Sequence, residues 1–253
     1  THPVPVEAEI GRYYETPDYI SHSDTHKGLM NRVYHWVRRV MLARKARLVK
    51  HNSRLSQGSL LDIGTGTGYF PHFMQERGWH VSAIEKSPQA RQFAKEHFEL
   101  DVAAPEALNE FADKSFDVIT LWHVMEHLEH LNETWETLKR ILKDQGILII
   151  AVPNPTSFDA EKYKEMWGAY DVPRHLWHFS PSVMQQFGAK HDFILCERHP
   201  MPFDAFYVSM LSEKYRKSAF PFIKGLITGA EAWIVSLAKK DRSSSMIYVF
   251  RKK

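Results

Sequence analysis

From residue 58 onward the chain alternates short apolar runs with stretches whose apolar residues recur at helical spacing. Leu60–Ile63 is a run that stops at glycines, Trp79–Ile84 is a second, and Phe98–Val102 is a weaker third. Phe116–Trp122 and Ile147–Val152 are nearly all apolar, and Phe193–Cys196 and Met246–Phe250 close the series. Runs this short, bounded by turn residues, predict strands buried on both faces. Tyr69–Arg77 reads as a helix with Phe70, Phe73 and Met74 inward and Gly78 as its stop. Ser87-Pro88 and Ser180-Pro181 each place a capping side chain before a proline at the first helical position. Asn132 is positioned to cap a helix whose inner face is Trp135, Leu138, Ile141 and Leu142, with Gly146 as its end. Strands alternating with helices predict a parallel sheet covered on both faces.

Before this region, Lys27–Lys50 carries Leu29, Val33, Trp36, Val37, Val40, Met41 and Leu48 at helical spacing. Arg32, Arg38, Arg39, Lys45 and Lys50 lie opposite, as a solvated basic face or as a docking surface for an anionic lipid or sugar phosphate. Ala219–Ala238 is the most apolar segment, but Pro221, Lys224 and Glu231 interrupt it. Charges at a bilayer centre cost about 2.5 to 3.5 kcal/mol each, which argues against a membrane span. The segment is expected to form a packed lid or a surface-lying helical hairpin, and it leaves room for peripheral membrane contact. The expected organisation is an N-terminal helical cap (1–57), a core (58–200), a helical lid insertion (201–241) and a final core strand (242–253).

The composition is ordinary for a globular protein, with 43% hydrophobic and 25% charged residues among 253. A net charge of +3 is too small to imply a nucleic-acid partner. Cys196 is the sole cysteine, which excludes an internal disulfide and fits a reducing compartment. With no signal-peptide pattern at the start, a cytoplasmic location is expected. Oligomeric state is left open.

The turn after the first run, Asp62-Ile63-Gly64-Thr65-Gly66-Thr67-Gly68, carries the chemistry. A strand, a glycine-rich turn and a helix form the general nucleotide site of open α/β sheets. A dinucleotide fingerprint needs a glycine at the sixth position, where Tyr69 stands here. Asp62 would repel a pyrophosphate but suits the ammonium and sulfonium of S-adenosylmethionine. Glu85 closes the second run, where a carboxylate can accept both ribose hydroxyls. A nicotinamide-dependent oxidoreductase is the disfavoured rival, and a non-catalytic S-adenosylmethionine-binding protein is another.

Four blocks, Leu60–Phe70, Val81–Ser87, Phe116–Leu128 and Leu142–Pro155, resemble the class I S-adenosylmethionine-dependent methyltransferases, in the group that includes the ubiquinone-biosynthesis O-methyltransferases. The resemblance implies a Rossmann-like α/β fold, a seven-stranded mostly parallel sheet with an antiparallel last strand and helices on both faces. It implies S-adenosylmethionine as cofactor and S-adenosylhomocysteine as product. Asp62, Gly64, Thr65, Gly66, Gly68, Tyr69, Glu85, Lys86 and Ser87 would hold it. Glu106 and Ala107 in the loop after the third strand would contact adenine, and Trp122 and His123 would line the methyl-donor end. Asp101 comes early, and Glu106 late, for the acid usual in that loop. Trp167–Pro181 and Gly11–Lys27 resemble segments of methyltransferases from bacterial glycan clusters, in which a small zinc-binding module can come first. With Cys196 alone, this chain has no such module.

Methyl transfer to a hydroxyl or amine calls for a base near neutral pH, and histidine is the natural type. His123, His127 and His175 are the candidates. His123, Glu126 and His127 would share one side of a helix and could bind a divalent metal. Ubiquinone-pathway relatives place acids and a histidine here, but His123 stands where an acid is expected, and no metal is assigned. Arg174 is a candidate clamp for an acceptor carboxylate or phosphate, with Trp167 and Tyr170 as an aromatic wall or as core. The Asn/Asp-Pro-Pro-Tyr signature of base methylation is missing after the fourth run, and no RNA-binding module is evident, so a small-molecule acceptor is expected.

Overall fold

A computed structural model describes Tyr13 and residues 29–253. Apart from Tyr13, the readings placed on residues 1–28, and those on the side chains of Leu29, Arg32 and Val33, lie outside what is described. The chain runs α1 (Leu29–Ser53), β1 (Ser59–Ile63), α2 (Tyr69–Gln75), β2 (His80–Ile84), α3 (Pro88–Phe98) and β3 (Val102–Ala103). It continues through β4 (Phe116–Trp122), α4 (Leu131–Ile141), β5 (Leu142–Pro153), α5 (Phe158–Tyr163) and α6 (Pro181–Lys190). It ends with β6 (Phe193–Met201), α7 (Asp204–Tyr215), α8 (Pro221–Ala238) and β7 (Ser245–Lys252).

The strands form one seven-stranded sheet in the order β3-β2-β1-β4-β5-β7-β6. Only β7 runs against its neighbours β5 and β6. The order reverses between β1 and β4, which pair in parallel with Leu60 beside Val118 and Asp62 beside Thr120. Such a switch point opens a crevice at the carboxyl ends of the strands. Alternation along β1 and β4 sends Leu61, Ile63, Ile119 and Leu121 to one face of the sheet and Leu60 and Val118 to the other.

The first face is covered by α4 and α6, around the fully buried Trp135. Its ring meets Phe187, Phe193 and Phe250 edge-on, with centroids 5.3 to 5.5 Å apart. The second face takes Val49 and half-buried Met41, Leu42, Ala46 and Leu48 from α1. Met41 and Leu48 lie on the inner face as expected, and two other positions and one basic residue are corrected. Trp36 is 66% exposed and Val37 is also exposed, while Lys45 turns inward from the face read as basic.

Three local expectations also shift. Phe98 ends α3 instead of opening β3, because the chain leaves the helix through Glu99 in a left-handed conformation. Asn132 does not cap α4, whose preceding residue is His130; its side chain accepts hydrogen bonds from Lys190 and His191 of the neighbouring layer. Gly146 does not end a helix. It lies inside β5, where an irregularity sets Leu142 beside Phe116 and Ile147 beside Val118. Ser87 and Ser180 do cap α3 and α6, accepting from the amides of Ala90 and Val183 at 3.3 and 3.4 Å.

Replacing the Trp135 ring with a methyl group leaves a cavity among three aromatic neighbours. Trp135→Ala should cost about 3–5 kcal/mol, read as a lower urea midpoint by far-UV circular dichroism.

Candidate active site

At the switch point, β1 delivers Asp62, 2% exposed, to its carboxyl end. The register that sets Thr120 beside it lets the threonine hydroxyl donate to Asp62 Oδ1 at 2.5 Å. Burial lifts the Asp62 carboxyl to about 6, against that hydrogen bond and the charge of Lys45. The turn then folds onto β2: the amides of Gly64 and Thr65 both donate to the carbonyl of Ile84, at 2.7 and 3.0 Å. Gly64 must be a glycine, since a Cβ there would lie 2.3 Å from Val124 Cγ2. At Gly66 a Cβ would meet nothing within 4 Å, so this residue borders open space at a backbone angle (φ 58°) that favours glycine. At Gly68 (φ 86°) a Cβ would lie 2.9 Å from Ala94 Cβ and 3.2 Å from Leu100, so glycine is required there too.

Glu85 ties the two turns together. One carboxylate oxygen accepts from the Gly66 amide at 2.8 Å and the other from the Ser87 amide at 2.9 Å. Each oxygen keeps a further lone pair for a ligand hydroxyl. Lys86 is exposed and lies 3.5 Å from Glu129. The Tyr69 ring packs against Phe93 and Phe98 with the Arg38 guanidinium 3.9 Å from its centroid. Exposed Glu106 and half-buried Ala107 stand in a single-turn helix over Pro105–Asn109.

Lys45 was not among the expected site residues. From α1 its ammonium sits 4.4 Å from the centroid of the Trp122 ring, within electrostatic reach of Asp62 and Asp204. Burial lowers its pKa against the pull of those two acids. Its position, four residues after Met41 and three before Leu48, falls on the apolar stripe and was the available signal. The Trp122 indole N–H is buried without a hydrogen-bond partner among the described residues.

The chain after β4 departs from a shared helical side. His123 has a left-handed backbone (φ 58°), and Met125–His127 forms one turn of 3-10 helix. His123 takes different partners from His127. Its Nε2 lies 3.0 Å from Asp204, the first residue of α7, and its Nδ1 lies 3.4 Å from Glu126. Burial lowers the imidazole pKa, but the facing carboxylates of Asp204 and Glu126 outweigh it and push the value up to about 10. The side chain is still 35% exposed, so the direction rests on geometry: two carboxylates facing both nitrogens require an N–H on each. An imidazolium of this kind cannot take up a proton at neutral pH, which corrects the expectation of His123 as base.

His127 and His175 come together instead, their rings edge-on with centroids 4.6 Å apart. Nδ1 of His127 donates to the carbonyl of Arg174 at 3.0 Å, and Nδ1 of His175 to that of Ala169 at 2.8 Å, because a carbonyl can only accept. In a neutral ring such a bond leaves the lone pair on Nε2; Nε2 of His175 lies 3.6 Å from Asp171 Oδ2. Burial lowers the His175 imidazole to about 4. The carboxylate of Glu126, 1% exposed, is held low despite its burial by the His123 imidazolium beside it. Glu126, His127 and His175 each offer a ligand atom within 4.8 Å of the others, a set that could hold a metal ion. Its third member is His175, where the sequence pattern pointed to His123.

The expected acceptor wall is largely structural. Trp167 is 1% exposed and donates its indole N–H to Asp159 at 2.7 Å, so it is core. Tyr170 packs edge-on against Trp167 and His178. Arg174 is already engaged, with Nε and Nη2 both on Asp171 Oδ1, at 3.1 and 2.6 Å.

Residues 33–196 match a family model described as a methyltransferase domain, and the chain belongs to that family. It is a class I S-adenosylmethionine methyltransferase by fold and family. An uncharacterized methyltransferase of Staphylococcus carnosus is 33% identical over 112 residues, 44% of this chain and 53% of that protein. A ubiquinone biosynthesis O-methyltransferase of Pelagibacter ubique is 34% identical over 104 residues, 38% of this chain and 42% of that protein. The chain thus spans about half the length of the curated relatives it matches. The geranyl diphosphate C-methyltransferase of Streptomyces coelicolor, solved with Mg2+, geranyl diphosphate and S-adenosylhomocysteine, shares the fold. Its TM-score is 0.57 at 14% identity, covering 91% of this chain and 88% of that one.

Two expectations follow from the electrostatics. Asp62 is raised from 3.8 to about 6 in the folded state, so at higher pH folding bears the cost of a buried charge. Asp62→Asn should therefore be more stable than wild type above pH 6, by up to about 3 kcal/mol, with the gap closing as pH falls towards 4. Urea titrations across that range check it. In Asp204→Asn the His123 pKa should fall by about one unit or more, followed by imidazole NMR with His123→Gln to assign the signal.

Proposed function

We propose that the chain binds S-adenosylmethionine in the crevice between β1 and β4 and moves its methyl group to a hydroxyl or amine of a small molecule, leaving S-adenosylhomocysteine. The observation that carries this reading is the buried Asp62 beside Lys45, at the foot of a loop whose Gly66 borders open space. A zwitterionic methionyl end needs an acid for its ammonium and a base for its carboxylate, and Asp62 and Lys45 provide the pair. Glu85 takes the ribose hydroxyls, the 105–109 turn takes adenine, and Trp122 and His123 border the sulfonium. A pyrophosphate at the same place would face Asp62, which disfavours a nicotinamide cofactor.

The transfer is an in-line displacement. A lone pair of the acceptor forms the new bond to the methyl carbon while the carbon–sulfur bond breaks towards sulfur, and alignment supplies most of the rate. The acceptor's proton passes to Nε2 of His127, which the Arg174 carbonyl holds in the required tautomer. His175 and Glu126 orient that ring, and the charge on His123 is already neutralised by Asp204 and Glu126. The acceptor is read as a glycan or lipid-linked intermediate handled in the cytoplasm, with no nucleic acid involved.

The 4.8 Å grouping of Glu126, His127 and His175 favours a second reading, a divalent metal that polarises the acceptor oxygen. Turnover that survives chelation supports His127 as base, and turnover restored only by added metal supports the second reading.

Calorimetry should show S-adenosylhomocysteine binding at micromolar strength and NAD not binding. Asp62→Asn should weaken the former by about one to two orders of magnitude. With tritiated S-adenosylmethionine and fractionated cell extract, His127→Gln should lower turnover by about 10²–10⁴-fold while leaving S-adenosylhomocysteine affinity unchanged. Cofactor binding without methyl transfer to any fraction would instead mark a non-catalytic binding protein.

A further inference from the structure

The helix α8 is built inside out. Its buried positions are Gly225, Thr228, Gly229, Ala232 and Ser236, all small. They bring it so close to α7 that a Cβ at Gly225 would lie 2.6 Å from Met210 Cα, and one at Gly229 would lie 2.7 Å from Phe206 Cα. The large apolar side chains point the other way. Phe222, Ile223, Ile227, Ile234 and Leu237 are each between 56% and 68% exposed, and Trp233 is also exposed. A helix that packs on a core in water does the reverse, since hiding large side chains is what stabilises it. Small residues at the helix–helix seam with large ones outward is the arrangement suited to lipid, where chains outside the seam lose nothing by facing hydrocarbon.

No helix among the described residues is long and apolar enough to cross a membrane, and α8 carries Lys224 and Glu231. Lying in the interface is the alternative open to such a helix. Charge separates a bilayer from the other natural occupant, a second copy of the chain. Exposed Lys214, Lys217 and Lys224 flank one end of the apolar face and Lys239 and Lys240 the other, and none of the five makes an ion pair among the described residues. The one acid in α8, Glu231, is already paired with Lys162. Because both ends are basic, either parallel or antiparallel pairing of two α8 helices would set lysines against lysines. Anionic headgroups would complement both ends at once, with the lysine stems lying along the apolar surface.

We infer that the α7–α8 hairpin is a membrane-surface docking element, with the exposed face of α8 lying in the headgroup layer of an anionic bilayer. This does not depend on the methyl-transfer reading, although the hairpin begins at Asp204, the partner of His123. Vesicle co-sedimentation of the whole chain tests it, with phosphatidylcholine alone and with about a third phosphatidylglycerol. The protein should pellet with the anionic vesicles, less with the neutral ones, and less again as salt rises. Ile227→Asp with Ile234→Asp should lower partitioning by about tenfold or more with an unchanged melting temperature, because both side chains are already exposed. Lys224→Glu with Lys240→Glu should remove the preference for anionic lipid and leaves the apolar residues intact, which guards against a variant that fails to fold. A chain that stays in the supernatant with both vesicle types overturns the inference. So does a dimer, seen by sedimentation velocity, that the aspartate variant dissolves while vesicle binding is absent.

Discussion

Burying the carboxylate of Glu126 at the end of β4 is the constraint around which this end of the molecule is assembled. A charge taken out of water is costly unless it is partnered, and removing a partner leaves it uncompensated. Here the His123 imidazolium pairs with it on one side, its Nδ1 3.4 Å from the carboxylate. The same residue's backbone carbonyl accepts from the amides of Leu176 and Trp177 at 2.8 and 3.2 Å. The Trp177 indole, bonded to the carbonyl of Leu128 at 2.7 Å, adds another stitch. Through these bonds the long connection after β5 is folded back onto the β4 end. Through His123 and Asp204 the start of α7 is fastened there too. Three separate stretches of chain meet at one buried acid.

The other half of the site is built mainly from backbone. The β1 turn is held to β2 by the Ile84 carbonyl and by Glu85, whose two oxygens span the Gly66 and Ser87 amides. These bonds shape the loop before any ligand arrives. The side chains that carry charge towards the crevice, Asp62 and Lys45, come from elements on the same face of the sheet. Each is shifted by burial towards its neutral form, and the charge of each works against the shift of the other. A ligand bearing both charges would relieve both.

Much of the fold was legible in the sequence because parallel strands buried on both faces are uniformly apolar and short. Phe116–Trp122 coincides with β4 to the residue. Serine-proline pairs marked two helix starts because capping is local chemistry. Boundaries failed where a distant layer decided them. Asn132 had the residue type of a cap, but Lys190 and His191 claimed its oxygen. Gly146 looked like a stop, but pairing with β4 carried the strand through it.

Residue type and spacing by themselves determined the alternating α/β layout, the glycine turn after β1 and the two acids, Asp62 and Glu85, that bracket it. These follow from local backbone geometry and from the period of apolar burial, which a single chain displays openly. Which histidines meet was decided only in three dimensions. His123 and His127 are neighbours in sequence, yet His123 pairs with Asp204 and Glu126 while His175 arrives from the far connection to stack its ring edge-on against His127. Lys45 reading as solvent-facing was corrected for the same reason, and Trp167, open between substrate wall and core, falls in the core. Burial belongs to the packing of elements remote in sequence, and packing sets which polar groups must find each other.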